Sequence, residues 1–305
     1  MMRTSVLVTN YNYAEYVCDA VRSILKQTLP PNEIIVVDDG SSDDSFERLR
    51  QEFGSEPSVH LIRKDNGGQL SAFNSAYQMA TGDLIFFLDS DDLYKETYIE
   101  KAVSFYDSQC KCDFLYCAIE EFGSSDEVVR DYERDTDLGF SVVSTIETSA
   151  WIGGRTSSLS MRKSILDRFM PIPLEQDWRV RADDCLVFGT SIAGAHKFFL
   201  AEPLVRYRVH GDNAWYGKKL NKHEGYHYQL KINTLIAHFL KLFGYNRPAL
   251  ADLIVREFTS TKDARNYKEF RRYQKVIRKS HRVWRWQRAQ QRGLKKAYRK
   301  MRKNG

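Results

Sequence analysis

An Asp-x-Asp pair is the feature of this sequence best suited to metal chemistry. Asp89 and Asp91 follow directly on the apolar run Leu84–Leu88. Carboxylate oxygens are ligands that hard divalent cations such as Mg²⁺ or Mn²⁺ prefer, and neighbouring carboxylates repel one another unless a cation lies between them. An isolated Asp-x-Asp is more often a solvated turn or a helix cap. Because this pair follows a buried strand, we favour a metal site that neutralises a leaving diphosphate.

A second carboxylate pair, Asp183 and Asp184, begins a segment with helical apolar spacing through Leu186, Val187 and Ile192. A helix N-terminus keeps a nearby carboxylate ionised. One such group suffices to take a proton from an attacking hydroxyl. A helix cap explains the same two residues equally well from the sequence alone.

Polar residues that suit a nucleotide follow other apolar runs. Tyr11 offers a ring for stacking on a base, and Asp39 offers an acceptor for a base N–H. Gly67 and Gly68 allow a close approach of the backbone to a ligand, although each is also an ordinary turn glycine. The chain contains neither G-x-G-x-x-G nor G-x-x-x-x-G-K-[ST], which disfavours a dinucleotide enzyme or a P-loop NTPase.

Alternation of strands and helices positions these residues. Apolar strands are predicted at 5–9, 34–37, 59–62 and 84–88, with helices between them. Continuous apolar strands that alternate with helices predict a parallel sheet covered on both faces. Ligands bind such sheets at the carboxyl ends of the strands, so the polar residues after three of these strands are expected on one edge.

Six segments occur in the order typical of one enzyme family: TNYN (9–12), VVDDGSSD (36–43), NGGQLSAFNSA (66–76), LDSDD (88–92), ADDCLVF (182–188) and YRVHGDNA (207–214). Over roughly residues 3–215 the chain therefore resembles a family 2 glycosyltransferase. The resemblance implies an α/β fold of the GT-A type, a Rossmann-like and mostly parallel sheet with flanking helices. It also implies a nucleotide-sugar donor, most often a UDP-sugar, and an inverting mechanism.

The resemblance also implies roles for single residues. Donor binding falls to Thr9, Asn10, Tyr11, Asp39, Asn66, Gly67, Asp89 and Ser90. Asp91 matches the direct ligand of a divalent cation, Mn²⁺ or Mg²⁺, with Asp89 close to the metal and His210 able to complete its shell. A structural histidine is the alternative for His210. Asp184 occupies the position of the catalytic base, and Asp183 stands where the family more often has Glu.

Charge divides the chain. Residues 262–305 hold 18 basic and 2 acidic residues, a net charge of +16, whereas residues 1–261 hold 28 basic and 38 acidic residues, a net charge of −10. A basic, aromatic stripe that includes Phe270, Tyr273 and Trp284 is typical of an interfacial membrane helix. Docking on the acidic body and disorder are the alternatives. A liposome-binding tail would suit a lipid-linked acceptor.

We therefore expect a catalytic domain at 1–215, with a nucleotide-binding half at about 1–95 and an acceptor half at about 96–215. A helical extension at 216–261 and a basic amphipathic tail at 262–305 follow it. Five irregularly spaced cysteines and the lack of a signal peptide or apolar span predict a cytoplasmic protein with reduced thiols. A membrane-binding tail would place it peripherally on the inner face of the plasma membrane.

The expected activity is transfer of a sugar to a hydroxyl of a saccharide or lipid-linked saccharide during surface glycan synthesis. The alternative enzymatic activity is transfer of the sugar to polyprenyl phosphate. The alternative non-enzymatic function is nucleic-acid binding through the basic tail. The tail has no zinc-finger or RNA-binding signature, and basic charge alone gives only non-specific binding. Nucleic acid is therefore the less favoured partner.

Overall fold

The computed structural model describes residues 2–211, 213, 215–246, 250–261, 263, 266–280 and 284–303. The chain forms two compact units. The first comprises Met1–Asp135, Gly153–Cys185 and Phe199–Lys219, and the second comprises Thr136–Ile152, Leu186–Phe198 and Leu220–Gly305. Segments 136–152 and 186–198, which lie inside the expected 1–215 catalytic domain, thus group with the C-terminal helices.

Ten strands of the described residues form one sheet. In chain order they are β1 (Thr4–Asn10), β2 (Glu33–Asp38), β3 (Val59–Arg63), β4 (Leu84–Asp89), β5 (Leu93–Tyr94), β6 (Phe114–Gly123), β7 (Val128–Val129), β8 (Thr136–Gly139), β9 (Leu159–Arg162) and β10 (Lys197–Val209). Eight of them lie side by side in the order β3-β2-β1-β4-β9-β6-β10-β5, and β7 and β8 lie off this path. Strands β3, β2, β1 and β4 are parallel neighbours, and β9 pairs antiparallel with both β4 and β6. The predicted α/β fold with a mostly parallel sheet is confirmed.

Helices follow most of the parallel strands. In chain order they are α1 (Val17–Leu25), α2 (Ser45–Phe53), α3 (Gln69–Met79), α4 (Tyr98–Ser108), α5 (Val142–Thr148), α6 (Lys163–Leu166), α7 (Ala182–Ala193), α8 (Lys222–Leu242), α9 (Ile254–Phe258), α10 (Tyr267–Lys279) and α11 (Trp284–Lys303). The apolar residues of β1, β2 and β4 are almost fully buried, as expected for parallel strands covered on both faces.

The register of the parallel strands brings their polar ends together. Thr9 lies opposite Asp89 across β1 and β4, and Asn10 lies opposite Asp38 across β1 and β2. Because parallel strands point the same way, the segments after β1, β2 and β4 leave the sheet at one edge. The predicted edge is therefore present.

The second unit has its own apolar core. Its fully buried members come from four helices: Val143, Ile254, Phe258, Tyr273, Val276, Ile277 and Leu294. Helices α10 and α11 pack antiparallel, since Phe270 stacks on Tyr298 at 4.5 Å between ring centroids and the Gln291 amide donates to the Gln274 carbonyl at 3.2 Å. Docking on the protein itself thus accounts for the apolar stripe of the tail.

Trp284 departs from the predicted stripe. Helix α10 ends at Lys279, and Ser280 takes an extended backbone conformation. The heptad frame that joins Tyr273 to Trp284 is therefore interrupted, and the Trp284 side chain is 58% exposed. Part of the tail, including residues 281–283, lies outside the described residues.

All five cysteines are free, and Cys110 is exposed, in keeping with the predicted reduced thiols. No helix within the described ranges is both long enough and apolar enough to cross a bilayer.

Candidate functional site

Three aspartates lie at the carboxyl end of β4, with Asp89 as its last residue and Asp91 and Asp92 just after it, and each has different surroundings. Asp92 is fully buried, and its carboxylate accepts hydrogen bonds from the Ser157 hydroxyl at 2.5 Å and from the Arg208 backbone N–H at 2.8 Å. Burial and repulsion from Asp91 and Asp89 raise the pKa of Asp92 well above its ordinary value. Asp92 therefore fixes the path of the chain, and Asp89 and Asp91 are the two carboxylates whose remaining acceptor sites a ligand can use.

Asp91 and His210 meet although 119 residues separate them. Nε2 of His210 lies 3.0 Å from Oδ2 of Asp91. The His210 ring packs against Tyr13 and Tyr16, with ring centroids 5.6 and 5.2 Å away. Its backbone N–H donates to the Asn213 side chain at 2.7 Å. Asp212, which precedes Asn213, lies outside the described residues. The structure thus pairs two of the three residues predicted for the metal site, Asp91 and His210.

Asp89 is held by a glutamine from α3. The Gln69 side-chain amide donates to Oδ1 of Asp89 at 2.9 Å. The other end of the same side chain, its carbonyl oxygen, accepts the backbone N–H of Ala182 at 2.9 Å. Burial, then repulsion from Asp91 and Asp183, raises the pKa of Asp89 to about 8. Gln69 therefore links the Asp-x-Asp segment to the start of α7, which carries Asp183.

Asp39 organises the loop before α3. Its carboxylate accepts the backbone N–H groups of Gly67 at 2.9 Å and Gly68 at 2.6 Å, and the Lys64 ammonium at 2.8 Å. Gly68 has a φ of 90°, and a Cβ there would lie 2.4 Å from the Arg179 backbone, so only glycine fits. The carboxylate has acceptor sites left over. A base-binding role for Asp39 stays a prediction.

The remaining predicted donor residues lie along the same edge. Tyr11 is 48% exposed and free to stack on a ring. Thr9, Asn10 and Ser90 are buried, and the Asn10 amide donates to Asp38 at 2.9 Å. Asn66 accepts a hydrogen bond from the Arg179 guanidinium. Tyr11 and Asn66 are thus the exposed members of this group, and the buried Asn10 ties β1 to β2.

The two aspartates of α7 are not equivalent. Asp184 is fully buried, and its Oδ1 accepts a hydrogen bond from Arg181 at 2.9 Å. Asp183 keeps a partly exposed surface. Enclosure by the protein, then the charge of Asp184, raises the pKa of Asp183 to about 7, and its charge acts on Asp89 in turn. Of the pair, Asp183 is the carboxylate that an incoming molecule can reach.

The donor set fits a divalent cation that a diphosphate helps to bind. Across the described part of the chain, no three His, Cys, Asp or Glu side chains form a ready-made metal cage. Asp91 and His210 nevertheless offer two adjacent ligand atoms beside Asp89. Mg²⁺ is commonly bound through one or two carboxylates with substrate phosphates and water as its other ligands. A cation bound here would reduce the electrostatic repulsion between Asp89 and Asp91.

With this geometry established, comparison with known proteins identifies the family. The family model of glycosyl transferase family 2 matches residues 5–169 of the sequence. The chain belongs to glycosyltransferase family 2. An uncharacterized glycosyltransferase of Nostoc sp. is 33% identical over 216 residues, which cover 70% of this chain and 66% of that protein.

Other relatives of this family 2 glycosyltransferase match over about a third of its length. A putative teichuronic acid biosynthesis glycosyltransferase of Bacillus subtilis is 37% identical over 102 residues, 33% of this chain and 40% of that protein. The chondroitin synthase of Pasteurella multocida is 38% identical over 96 residues, 32% of this chain and 10% of that enzyme. The chain thus spans less than two thirds of the length of these relatives.

A solved structure shares the fold of this family 2 glycosyltransferase. Staphylococcus aureus TarS 1–349, crystallised with UDP-GlcNAc, superposes with a TM-score of 0.62 at 17% identity, covering 99% of this chain and 92% of that one. The same protein with UDP gives a TM-score of 0.60. At this identity the likeness establishes the GT-A fold.

Sequence reasoning missed several residues of the site. Gln69, Arg181 and Arg208 all contact predicted site segments, and the Arg181 guanidinium lies 4.5 Å from the Trp215 ring centroid. Gln69 stands within the NGGQ segment and Arg208 within YRVHGDNA, so the motifs marked their neighbourhood. Arg181 contacts Asp184, three residues later. The contacts of Gln69 with Ala182 and of Arg208 with Asp91 span 113 and 117 residues, so no local pattern predicts them.

Proposed function

We propose that this protein is an inverting, metal-dependent glycosyltransferase that moves a sugar from a nucleotide-diphosphate sugar, a UDP-sugar, to a hydroxyl of a saccharide or lipid-linked saccharide. The observations that carry the proposal are two sets of contacts in one unit, one around Asp91 and one around Asp89. His210 touches Asp91, and Gln69 joins Asp89 to the start of the helix that bears Asp183. Metal ligands and a base are thereby held together.

The donor half of the proposal assigns the nucleotide to the carboxyl ends of β1 and β2. The exposed Tyr11 ring stacks on the base, and the loop that Asp39 holds lines the nucleotide. Mg²⁺ or Mn²⁺, held by Asp91 and His210 beside Asp89, would neutralise the charge that develops on the leaving diphosphate. TarS crystallised with UDP-GlcNAc supports a donor of this class.

We assign the base to Asp183, because its surface is accessible. Its carboxylate takes the proton of the acceptor hydroxyl, and the hydroxyl oxygen forms a bond to the anomeric carbon. The bond from that carbon to the diphosphate oxygen breaks on the opposite face, and the configuration inverts. Asp184, buried against Arg181, holds the first turn of α7 in place.

The proposed acceptor class is supported by the names of related proteins. The names of the Bacillus subtilis and Pasteurella multocida proteins refer to teichuronic acid biosynthesis and to chondroitin synthesis. They support a role in polysaccharide synthesis.

The experiment is a screen of UDP-sugars and other nucleotide-sugars for release of the nucleoside diphosphate, with Mn²⁺, with Mg²⁺ and with EDTA. Acceptor arms contain a free saccharide, a lipid-linked saccharide or polyprenyl phosphate. We expect metal-dependent release that Asp91→Ala abolishes and that Asp126→Ala, at an exposed aspartate, leaves unchanged. Full release in EDTA would overturn the metal assignment. If product forms only on polyprenyl phosphate, that lipid phosphate is the acceptor and the proposed saccharide acceptor is wrong.

A further inference from the structure

The two C-terminal helices present an outer surface of one charge. The apolar sides of both helices pack into the core of the second unit, where Tyr273, Ile277 and Leu294 are fully buried. The exposed remainder, which we call the basic face, consists of Lys268, Arg271, Lys275, Arg278 and Lys279 of α10 and Arg285, Arg288, Arg292, Lys295, Lys296, Arg299, Lys300 and Arg302 of α11.

The spacing of the basic face is regular. On α11, Arg285, Arg288, Arg292, Lys295, Arg299 and Arg302 recur at alternating intervals of three and four residues. That interval places them on one side of a helix, along about 26 Å at 1.5 Å per residue. Lys268, Arg271, Lys275 and Arg278 repeat the pattern on α10. A row of this kind meets a planar charged surface along its whole length.

Acidic residues do little to offset these charges. Helix α11 contains none, and Glu269 is the sole acidic residue of α10. Glu269 is partly buried and pairs with Arg272. Like charges on a common face repel one another, so a polyanionic surface is the partner that this arrangement favours.

An exposed indole lies at the start of the α11 row. Trp284 is 58% exposed, with the Arg288 guanidinium 4.5 Å from its ring centroid. Tryptophan favours the boundary between lipid and water, where its ring is half in an apolar medium. Charges in a straight row with a terminal indole suit a lipid headgroup layer better than a curved nucleic acid duplex.

We propose that the basic face docks on the surface of an anionic lipid bilayer, with Trp284 inserted at the headgroup level. The docking goes beyond the proposed sugar transfer and needs neither donor nor acceptor. It also differs from an amphipathic helix that lies in the membrane, since the apolar sides of α10 and α11 stay in the protein core.

The test is co-sedimentation of the full chain with vesicles of phosphatidylcholine alone or with phosphatidylglycerol at 30%. We expect binding to the anionic vesicles only, and loss of that binding in high salt. Arg292→Glu/Lys295→Glu/Arg299→Glu should weaken binding at least about 100-fold, since each basic side chain contributes ~1 kcal/mol and 1.4 kcal/mol is tenfold. The matched control is Lys26→Glu/Arg130→Glu/Lys219→Glu, which changes the net charge equally at exposed sites of the first unit.

Trp284→Ala should reduce vesicle binding, and Tyr226→Ala, at another exposed aromatic residue of the second unit, should not. A circular dichroism melt of each variant shows that it is folded. Equal pelleting with neutral vesicles, equal losses in the two charge-reversed triples, or displacement of the vesicles by a trace of duplex DNA would each overturn the proposal.

Discussion

Two neighbouring carboxylates of this protein have different surroundings, and we propose different roles for them. Asp183 keeps an accessible surface and a pKa of about 7. Asp184, one residue later, is fully buried against Arg181. A general base needs both access to its proton and a pKa near the working pH. Asp183 and Asp184 have the same side chain, so their different positions on the first turn of α7 distinguish them as candidate bases.

Asp183→Asn and Asp184→Asn should separate these roles. Asp183→Asn removes the proton acceptor, and we expect kcat to fall about 10²–10⁴-fold while the donor dissociation constant changes little. Asp184→Asn leaves Arg181 without its carboxylate, and we expect a lower melting temperature with a smaller loss of kcat. Steady-state kinetics, donor titration and thermal unfolding provide the measurements. Collapse of turnover in a fully stable Asp184→Asn protein would return the base to Asp184, as the family motif implies.

Gln69 is a positioning residue whose two ends serve two segments. Gln69→Ala removes a hydrogen bond to the Asp89 carboxylate and one to the Ala182 N–H. Leaving two buried polar groups without a partner costs about 1–3 kcal/mol each, so we expect a lower melting temperature, and displacement of Asp89 should lower kcat/KM about 10-fold or more. Gln78→Ala, at an exposed glutamine of the same helix, is the control. Equal kinetics for the two variants would remove Gln69 from the site.

At the scale of elements, one buried glutamate joins three helices of the second unit. Glu257 of α9 accepts the backbone N–H groups of Val143 at 2.7 Å and Ser144 at 3.0 Å, at the start of α5. It also accepts the Tyr273 hydroxyl of α10 at 2.8 Å. A negative charge at a helix N-terminus is favourable, and the buried carboxylate is thereby satisfied. The basic helices are thus fastened by a polar contact as well as by apolar packing.

Glu257→Gln should destabilise the second unit. An amide supplies one acceptor in place of two and loses the charge that favours the start of α5, so we expect unfolding to become easier by about 2–3 kcal/mol. Tyr273→Phe removes the hydroxyl contact alone and should cost about 1 kcal/mol. Urea unfolding of both variants, followed by circular dichroism, gives the comparison. A smaller effect for Glu257→Gln than for Tyr273→Phe would contradict the shared-acceptor geometry.

Local patterns gave the parallel strands well. The apolar runs at 5–9, 34–37 and 84–88 correspond to β1, β2 and β4, because a strand buried on both faces leaves a continuous apolar signature. Strand β9 was not predicted. It enters the sheet between β4 and β6, and its sequence, LSMR, alternates too briefly to reveal a partner. Pairing at a distance of more than forty residues is a tertiary property.

At the scale of the whole molecule, the sequence predicted which segments form the site and the structure supplied how they are tied together. Asp91 and His210 were both named from ordered motifs. Gln69 and Glu257 were not, since no motif assigned either of them a role, and their contacts with Ala182 and Val143 span 113 and 114 residues. The tail shows the same limit. The apolar stripe of the tail predicted an amphipathic helix. In the structure α5 and α9 cover that stripe. The sequence of the tail alone contains no information about these two helices, so it could not distinguish cover by the protein from cover by a membrane.

Binding of UDP should couple to a divalent cation across the first unit. If Asp91 and His210 hold a cation that also binds the diphosphate, UDP and Mn²⁺ together should stabilise the protein far more than either alone. At about 100 times the dissociation constant the gain is ~2.7 kcal/mol, or about 5–10 °C for a unit of 150–250 residues. Thermal unfolding with UDP, Mn²⁺, both, and both with excess EDTA measures this coupling. Asp91→Ala should abolish the joint shift, and Asp126→Ala should preserve it. A shift from UDP that persists in EDTA would show that the nucleotide binds without the ion, and would leave Asp91 and His210 as a structural pair.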